Sequence, residues 1–205
     1  MTKDEVASLC KKLWVGKEID WDEAKENHEL YAYGFAEEIA IEACNIAQRL
    51  GVIGDKRAVR PLIRLLKGDI NRHIYSIISE FDDEFDADDY ETIITAAEAL
   101  GNIGDERAVT PLIELLTSSR GLELLERGAS EVWIESISAL GRIGDKRAVK
   151  PLIELLENDE IENIADLGNA VGEDTAIHIA ITEALEMLSN EHSYKSNLKI
   201  SKERK

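Results

Sequence analysis

The sequence predicts an all-α fold of repeated helix pairs, on the strength of two observations. A sixteen-residue segment with the frame G-x-I-G-D-x-R-A-V-x-P-L-I-x-L-L occurs three times, at residues 51–66, 101–116 and 141–156. An apolar stripe at spacings of three and four residues precedes each copy, which is typical of one face of an α-helix. A segment that recurs in this way is the signature of a stacked array. The predicted fold class is therefore an α-solenoid (α-α superhelix) with helical insertions and helical caps.

The repeated segment is predicted to be a tight turn between two helices. Its first glycine is expected to end the first helix as a C-cap in the left-handed conformation. These glycines are Gly51, Gly101 and Gly141. The isoleucine two residues later is expected to be the lone apolar residue inside the turn. These isoleucines are Ile53, Ile103 and Ile143.

The aspartate and the proline of the segment are predicted to mark the start of the second helix. A carboxylate there accepts hydrogen bonds from N–H groups that have no partner within the helix, and its charge suits the positive helix end. These aspartates are Asp55, Asp105 and Asp145. A proline in the first turn does little harm, because the N–H that it lacks has no helical partner there. The three prolines of the chain are Pro61, Pro111 and Pro151.

These residues resemble the HEAT-like repeats of the phycobilisome-lyase type, whose hallmark is A-L-G-x-I-G-D-x-R-A-V-x-P-L-I-x-L-L. The frame is matched most fully at residues 99–116 and 139–156. The resemblance implies a right-handed stack of antiparallel helix pairs, in which the turn aspartates bond to turn arginines of their own or the neighbouring repeat. The residues of this implied ladder are Asp55, Arg57, Asp105, Arg107, Asp145 and Arg147.

The whole chain, residues 1–205, is predicted to form a single repeat domain. A helical N-terminal cap is followed by three repeats, a degenerate terminal first helix and a flexible tail. The predicted bounds are 1–34 for the cap, 35–66, 92–116 and 131–156 for the repeats, 174–189 for the terminal helix and 190–205 for the tail.

Insertions between the repeats are the clearest sequence clue to function. The repeated segments start 50 and 40 residues apart, whereas such units usually need about 30 to 40 residues. The excess falls each time between the second helix of one unit and the first helix of the next. These insertions lie at 67–91, around 121–128, and at 157–173. They are expected to form short helices on one edge, which either pad the core or form the walls of a binding groove.

The first insertion ends in an acidic run that is the predicted binding site. Its candidate residues are Asp82, Asp83, Glu84, Asp86, Asp88 and Asp89. A basic protein segment suits this run, because opposite charges complement each other across an interface. Carboxylates at short spacing also suit a divalent metal, but the run lacks the D-x-D-x-D-G frame of a calcium loop. A solvated acidic turn is the remaining interpretation, and neither a metal nor a cofactor is predicted.

Charge restricts the class of partner. The formal net charge is −18 and the pI is about 4.6, so phosphate backbones and anionic membranes repel the molecule on average. Lys and Arg are interpreted as scattered among acids, except in the tail from Lys195. A basic or neutral protein partner is therefore predicted, with neither nucleic acid nor membrane.

A cytoplasmic protein is predicted from the N-terminus, hydropathy and cysteines. Acids stand at residues 4 and 5, where a signal peptide carries positive charge, and no apolar run approaches the ~18 residues of a membrane span. Cys10 and Cys44 occupy apolar positions of predicted helices, which favours reduced core thiols over a disulfide.

No catalytic motif is recognisable. Only His28-Glu29 has the His-Glu order by which some HEAT-repeat hydroxylases hold two irons, and it precedes the repeats. The predicted function is a non-enzymatic scaffold or adaptor that presents an acidic concave surface to a basic or neutral protein segment. Because phycobilin lyases share this repeat, the resemblance leaves one alternative: lyase-like binding or transfer of a tetrapyrrole or another small ligand.

Overall fold

The computed structural model describes residues 3–13, 30–68, 90–158 and 173–189 of the chain, and every regular element in these ranges is helical. The α-helices are α1 (Lys3–Lys12), α2 (Leu30–Ile53), α3 (Val59–Leu66), α4 (Tyr90–Ile103), α5 (Val109–Thr117), α6 (Ser119–Glu126), α7 (Ser130–Ile143), α8 (Val149–Leu156) and α9 (Glu173–Ser189). Three 3₁₀ turns, at Lys56–Ala58, Glu106–Ala108 and Lys146–Ala148, precede α3, α5 and α8. The predicted all-α class of α-solenoid helix pairs is confirmed.

The chain divides into two compact units, Met1–Ile103 and Gly104–Lys205. In the first unit α2 and α3 both pack on α4, and α1 packs on α2 and on the 3₁₀ turn 56–58. The apolar side chains between these helices are buried. They include Val6, Leu9, Leu50, Leu62, Leu65, Leu66, Ile93 and Leu100. Burial of such a cluster is the main force that holds short helices together.

In the second unit α7 packs along α9, and α8 also contacts α9. The helices α5, α6 and α7 pack against one another in all three pairings. The core of this unit is again apolar. It includes Leu112, Leu116, Leu124, Trp133, Ile137, Leu140, Leu152, Ile177 and Ile181. Helix α9 occupies the predicted degenerate terminal repeat, residues 174–189, and begins one residue earlier.

The turn glycines correct one prediction. Gly51, Gly101 and Gly141 were expected to be left-handed C-caps, but each lies inside a helix that ends two residues later. The left-handed residues are the second glycines of the repeated segment, with φ of 70° at Gly54, 66° at Gly104 and 76° at Gly144. The first helix therefore runs on through the predicted turn isoleucines, which are its last residues.

The first glycine is required by packing rather than by backbone conformation. A Cβ on Gly51 would lie 2.8 Å from the Cα of Ala99 in α4. In the second unit, a Cβ on Gly141 would lie 3.0 Å from the Cα of Ala184 in α9. A first helix thus approaches the next first helix so closely that only hydrogen fits between the two backbones.

The second insertion forms α6, which begins at Ser119, two residues before the predicted start. The hydroxyl of Ser118 accepts a hydrogen bond of 3.2 Å from the Gly121 N–H and caps this helix. A Cβ on Gly121 would lie 1.9 Å from the carbonyl oxygen of Leu115. Gly121 therefore allows α6 to pack directly on the end of α5. The first and third insertions fall mostly at 69–89 and 159–172, outside the described residues.

Candidate functional site

Each repeat contains a turn in which one aspartate binds the arginine two residues later. The main-chain N–H of Arg57 donates to Oδ1 of Asp55 over 2.8 Å, and Nη2 of Arg57 donates to Oδ2 over 2.7 Å. The aspartate backbone is extended, and its carbonyl accepts a 3.0 Å bond from the N–H of Ala58. The carboxylate thus caps the 3₁₀ turn and forms a two-pronged ion pair at once.

The other two turns repeat this geometry. In the second turn, Nε and Nη2 of Arg107 lie 2.7 and 3.1 Å from the two carboxylate oxygens of Asp105. In the third turn, the corresponding distances from Arg147 to Asp145 are 3.0 and 2.6 Å. The turns differ in burial: the Asp105 side chain is 5% exposed, whereas those of Asp55 and Asp145 are 26% and 18% exposed.

Arg147 also connects two repeats. Its Nη2 donates a 3.1 Å hydrogen bond to the carbonyl oxygen of Glu106, in the preceding turn of the same unit. The arginine therefore bridges its own aspartate and the main chain of its neighbour. Because the guanidinium group is planar and rigid, an arginine bound at both places fixes the distance between the two successive turns.

These contacts shift the ionisation of the turn residues. Hydrogen bonds from Arg147 hold the pKa of Asp145 below its ordinary value, against the opposing effect of burial. The same bonds raise the pKa of Arg147, as those to Asp105 raise the pKa of Arg107. All three groups stay charged near neutral pH. The turns supply fixed ion pairs, which suits a structural role better than proton transfer.

A buried indole fixes α6 to α7. Trp133 is fully buried, and its Nε1–H donates a 2.8 Å hydrogen bond to the carbonyl oxygen of Gly121. The residue thus belongs to the core of the second unit.

Comparison with known families identifies the repeats. The model of the PBS lyase HEAT-like repeat matches residues 94–118 and 134–158. The chain carries two PBS lyase HEAT-like repeats. Each matched range begins in a first helix, contains the Asp–Arg turn and ends just after a second helix. No curated protein matches the chain.

The first repeat of the chain lies outside the two matched ranges but has the same turn. It places Arg49 where the other two repeats have Ala99 and Ala139. Its left-handed glycine, capping aspartate and 3₁₀ turn are nevertheless those of the matched repeats. The turn geometry is thus common to all three copies.

The first helices of the second unit present acidic side chains. Glu131 on α7 and Glu183 and Glu186 on α9 are exposed, and these two helices pack along each other. Their only Lys or Arg is the half-buried Arg142, which forms an ion pair with Glu135 of the same helix. This group of Glu131, Glu183 and Glu186 is called the acidic face below.

The second helix of the first repeat carries the opposite charge, which the sequence interpretation missed. Residues 56–67 contain five Lys or Arg and no acid, although basic residues outside the tail were interpreted as scattered among acids. The signal was visible as a run of one sign at helical spacing. The net charge of −18 concealed it, because a total says nothing about distribution.

The predicted acidic binding residues, Asp82 to Asp89, lie outside the described part of the chain, so their role stays a prediction. Within the described ranges, no three His, Cys, Asp or Glu side chains converge on a site that could hold a metal ion. Cys10 and Cys44 are half-buried and belong to no disulfide, and burial raises the pKa of Cys10. None of the helices, as far as they are described, has the length and hydropathy to cross a membrane.

Proposed function

We propose that this HEAT-like repeat protein is a non-enzymatic scaffold or adaptor whose acidic concave surface receives a basic or neutral segment of another protein. The observation that supports the proposal most directly is the acidic face. Its glutamates are exposed on two first helices that pack together, and no exposed Lys or Arg stands on the described residues of either helix.

Such a face attracts Lys and Arg side chains over distances of about 10 Å at moderate salt. Each exposed ion pair contributes only about 0.2–1 kcal/mol, so affinity requires several pairs at once. A rigid array of helices is suited to this task, because it holds the carboxylates at fixed spacing before the partner arrives. Residues 82–89 would add a second group of carboxylates from the first insertion.

The proposal is tested with a fluorescent Lys/Arg-rich peptide and the triple variant Glu131→Gln, Glu183→Gln, Glu186→Gln. Fluorescence anisotropy measures the Kd at low and high salt. Loss of three ion pairs should weaken binding about tenfold at low salt, and added salt should weaken wild-type binding. Absence of binding to the wild-type protein at low salt would overturn the proposal.

A charge-matched control separates a specific face from net charge. The variant Glu5→Gln, Glu42→Gln, Glu98→Gln removes three exposed carboxylates from α1, α2 and α4. If the acidic face is a specific site, we expect this variant to bind the peptide within about twofold of wild type, since charges more than about 10 Å from the bound peptide are largely screened. Equal loss in both triple variants would show that only total charge matters, and the acidic face would then have no specific role.

A second candidate follows from the family description, which refers to PBS lyases. Under that proposal the chain binds or transfers a tetrapyrrole or another small ligand. Incubation with a bilin, followed by gel filtration and absorption spectroscopy, tests it. A bilin band that co-elutes with the protein supports the candidate, and elution of colourless protein contradicts it.

A further inference from the structure

The 3₁₀ turn 56–58 and helix α3 carry a basic stripe on a strongly acidic protein. Four of the cations, at spacings of four, four and three residues, share one side of the helical segment. They are Lys56, Arg60, Arg64 and Lys67, and all four are exposed. We call them the basic face. Arg57, the fifth cation of this run, faces Asp55 in the turn.

Helix α1 adds positive charge beside this face. It packs on the 3₁₀ turn 56–58, and its last two residues are the exposed Lys11 and Lys12. Burial is the main cause of the raised pKa of the adjacent Cys10, and the charges of Asp55 and Arg57 also act on it, in agreement with the packing of α1 on this turn. Six cations from three elements of one compact unit, the 3₁₀ turn, α3 with its C-terminal end, and α1, therefore lie on or beside the turn and α3.

The fold does not require these cations. At the equivalent positions the second repeat has Glu106, Thr110, Glu114 and Thr117, all of them exposed. The third repeat has Lys146, Lys150, Glu154 and Glu157, with Lys150 paired to Glu154 at 3.3 Å. All three repeats form the same turn and second helix. The concentration of positive charge on the first repeat is thus a property of its surface alone.

We propose that the basic face is a second docking surface and that it binds an acidic segment of a partner protein. Carboxylates spaced three or four residues apart on such a segment would meet the cations of α3 one for one. This inference is independent of the proposed function, because it concerns a surface of opposite sign in the other compact unit.

Size and charge favour a protein segment over a nucleic acid. From Lys56 to Lys67 the face is about 17 Å long and one helix wide. A nucleic acid extends beyond such a short face, and its further phosphates would meet a chain whose remaining charge is strongly negative. Two copies of this chain, each at −18, also repel each other at low salt. A short acidic segment avoids both penalties.

The test uses a fluorescent helical peptide of about sixteen residues, with glutamates three and four residues apart. The variant Lys56→Glu, Arg60→Thr, Arg64→Glu, Lys67→Thr copies the second repeat. Its four new side chains therefore already occur at the equivalent positions of the same kind of turn and helix. We expect wild type to bind the peptide at low salt and the variant to bind at least about tenfold more weakly. Circular dichroism verifies that the variant is folded.

Two comparisons determine whether the face itself is responsible. The variant Lys199→Glu, Lys202→Glu, Lys205→Glu changes the net charge by the same six units and should keep binding within about twofold. The converse variant of the second repeat, Glu106→Lys, Thr110→Arg, Glu114→Arg, Thr117→Lys, should create a second peptide site. Equal losses in both charge-lowered variants, or no peptide binding to wild type, would overturn the proposal.

The other occupants are distinguished in the same experiment. A single-stranded oligonucleotide with as many charges as the peptide is titrated in parallel. Tighter binding of the oligonucleotide, abolished by the variant of the basic face, would replace the protein partner by a nucleic acid. Sedimentation measures self-association, and a wild-type dimer that the same variant dissociates would identify a second copy as the occupant. Either result contradicts the proposal.

Discussion

At the scale of single residues, the aspartate of the turn performs two tasks. It accepts the main-chain N–H of the residue two positions on, and it holds that residue's guanidinium by two further bonds. The cap is local, because the main-chain N–H and the guanidinium group that it binds belong to one residue, two positions along the chain. Its contribution to the free energy of unfolding depends on how deeply the carboxylate is buried, which differs between the three turns.

We expect Asp105→Ala to lower the free energy of unfolding by about 1–2 kcal/mol, because a capping carboxylate is lost and Arg107 loses its partner. Asp55→Ala should lower the free energy of unfolding by less, since the Asp55 side chain is about five times as exposed as that of Asp105. Urea denaturation measures both values. Equal costs for the two variants would contradict the role of burial, and Asp105→Asn, which keeps an acceptor, is the control.

The depressed pKa of Asp145 predicts a pH dependence of stability. A carboxyl whose folded pKa lies below its unfolded pKa stabilises the protein above the unfolded value of about 4, and the effect is lost as pH falls through the folded pKa. The stability difference between wild type and Asp145→Asn should be constant above about pH 5 and shrink below about pH 4. Denaturant titrations across this range measure it. If the stability difference grew as the pH fell, the pKa of Asp145 would be raised in the folded protein, and the prediction would be wrong.

At the scale of elements, close backbone contacts determine how first helices stack. Gly51 faces Ala99 in the first unit, and Gly141 faces Ala184 in the second. Both contacts join a first helix to the next first helix. The two glycines of the pattern G-x-I-G are needed for different reasons. The first allows two helices to pack closely, and the second allows a left-handed turn.

We expect Gly51→Ala to lower the free energy of unfolding by about 1–3 kcal/mol, because the new methyl group would overlap the α4 backbone. The substitution Ala99→Gly should restore little, since the closest atom is the Cα of Ala99 at 2.8 Å, which glycine retains. Thermal and urea denaturation of the single and double variants measure this. Full rescue by the second substitution would show that the Cβ of Ala99 is the obstacle instead.

Gly54→Ala tests the second glycine. Its Cβ would meet no atom within 4 Å, so the only cost is the left-handed backbone at φ 70°. We expect a loss of about 1–2 kcal/mol. The conservative control is Gly54→Asn, because asparagine tolerates this conformation better and should cost less. An alanine variant as stable as wild type would contradict the left-handed turn.

Trp133 makes the other contact that can be tested at this scale. Trp133→Phe keeps an aromatic ring but leaves the carbonyl oxygen of Gly121 without its indole donor. We expect a loss of about 1–3 kcal/mol, from the unsatisfied carbonyl and the smaller ring. Urea denaturation followed by circular dichroism measures the change, because circular dichroism reports on the helices and does not depend on the indole that the substitution removes. An unchanged midpoint would show that the bond contributes nothing.

At the scale of the whole molecule, charge is abundant and unevenly distributed. The exposed glutamates of α7 and α9 contrast with the exposed cations of α3. The opposite signs lie in different compact units. The two proposed docking surfaces therefore differ in sign, and each experiment changes one of them while leaving the other intact.

A net charge of −18 also predicts that salt stabilises the protein, because counter-ions screen its self-repulsion. We expect Tm to rise by about 2–4 °C between low and moderate sodium chloride. The control combines the six Glu→Gln substitutions of the two triple variants, which lowers the net charge from −18 to −12. Its Tm should respond less to salt. A Tm that falls with salt would mean that ion pairs outweigh repulsion.

Much of the fold could be predicted from the sequence because it depends on local chemistry. The three repeats, their helix pairs and the prolines in the first turn of each second helix follow from contacts within about one helical turn. The aspartates were expected to cap the second helices, but they cap the 3₁₀ turns that lead into these helices. The same reasoning misplaced the left-handed glycine by three residues, since local patterns cannot distinguish a helix end from a helix that continues for one more turn.

By itself, then, the sequence determined that this chain is an all-α array of HEAT-like helix pairs, in which the same turn segment occurs three times. Only the tertiary structure decided why Gly51 and Gly141 are glycines, which carbonyl Trp133 binds, and that Asp105 is more buried than its two counterparts. The physical reason is distance along the chain. Caps and turns bring together residues two to four apart, whereas backbone approach and burial are set by helices up to about fifty residues away.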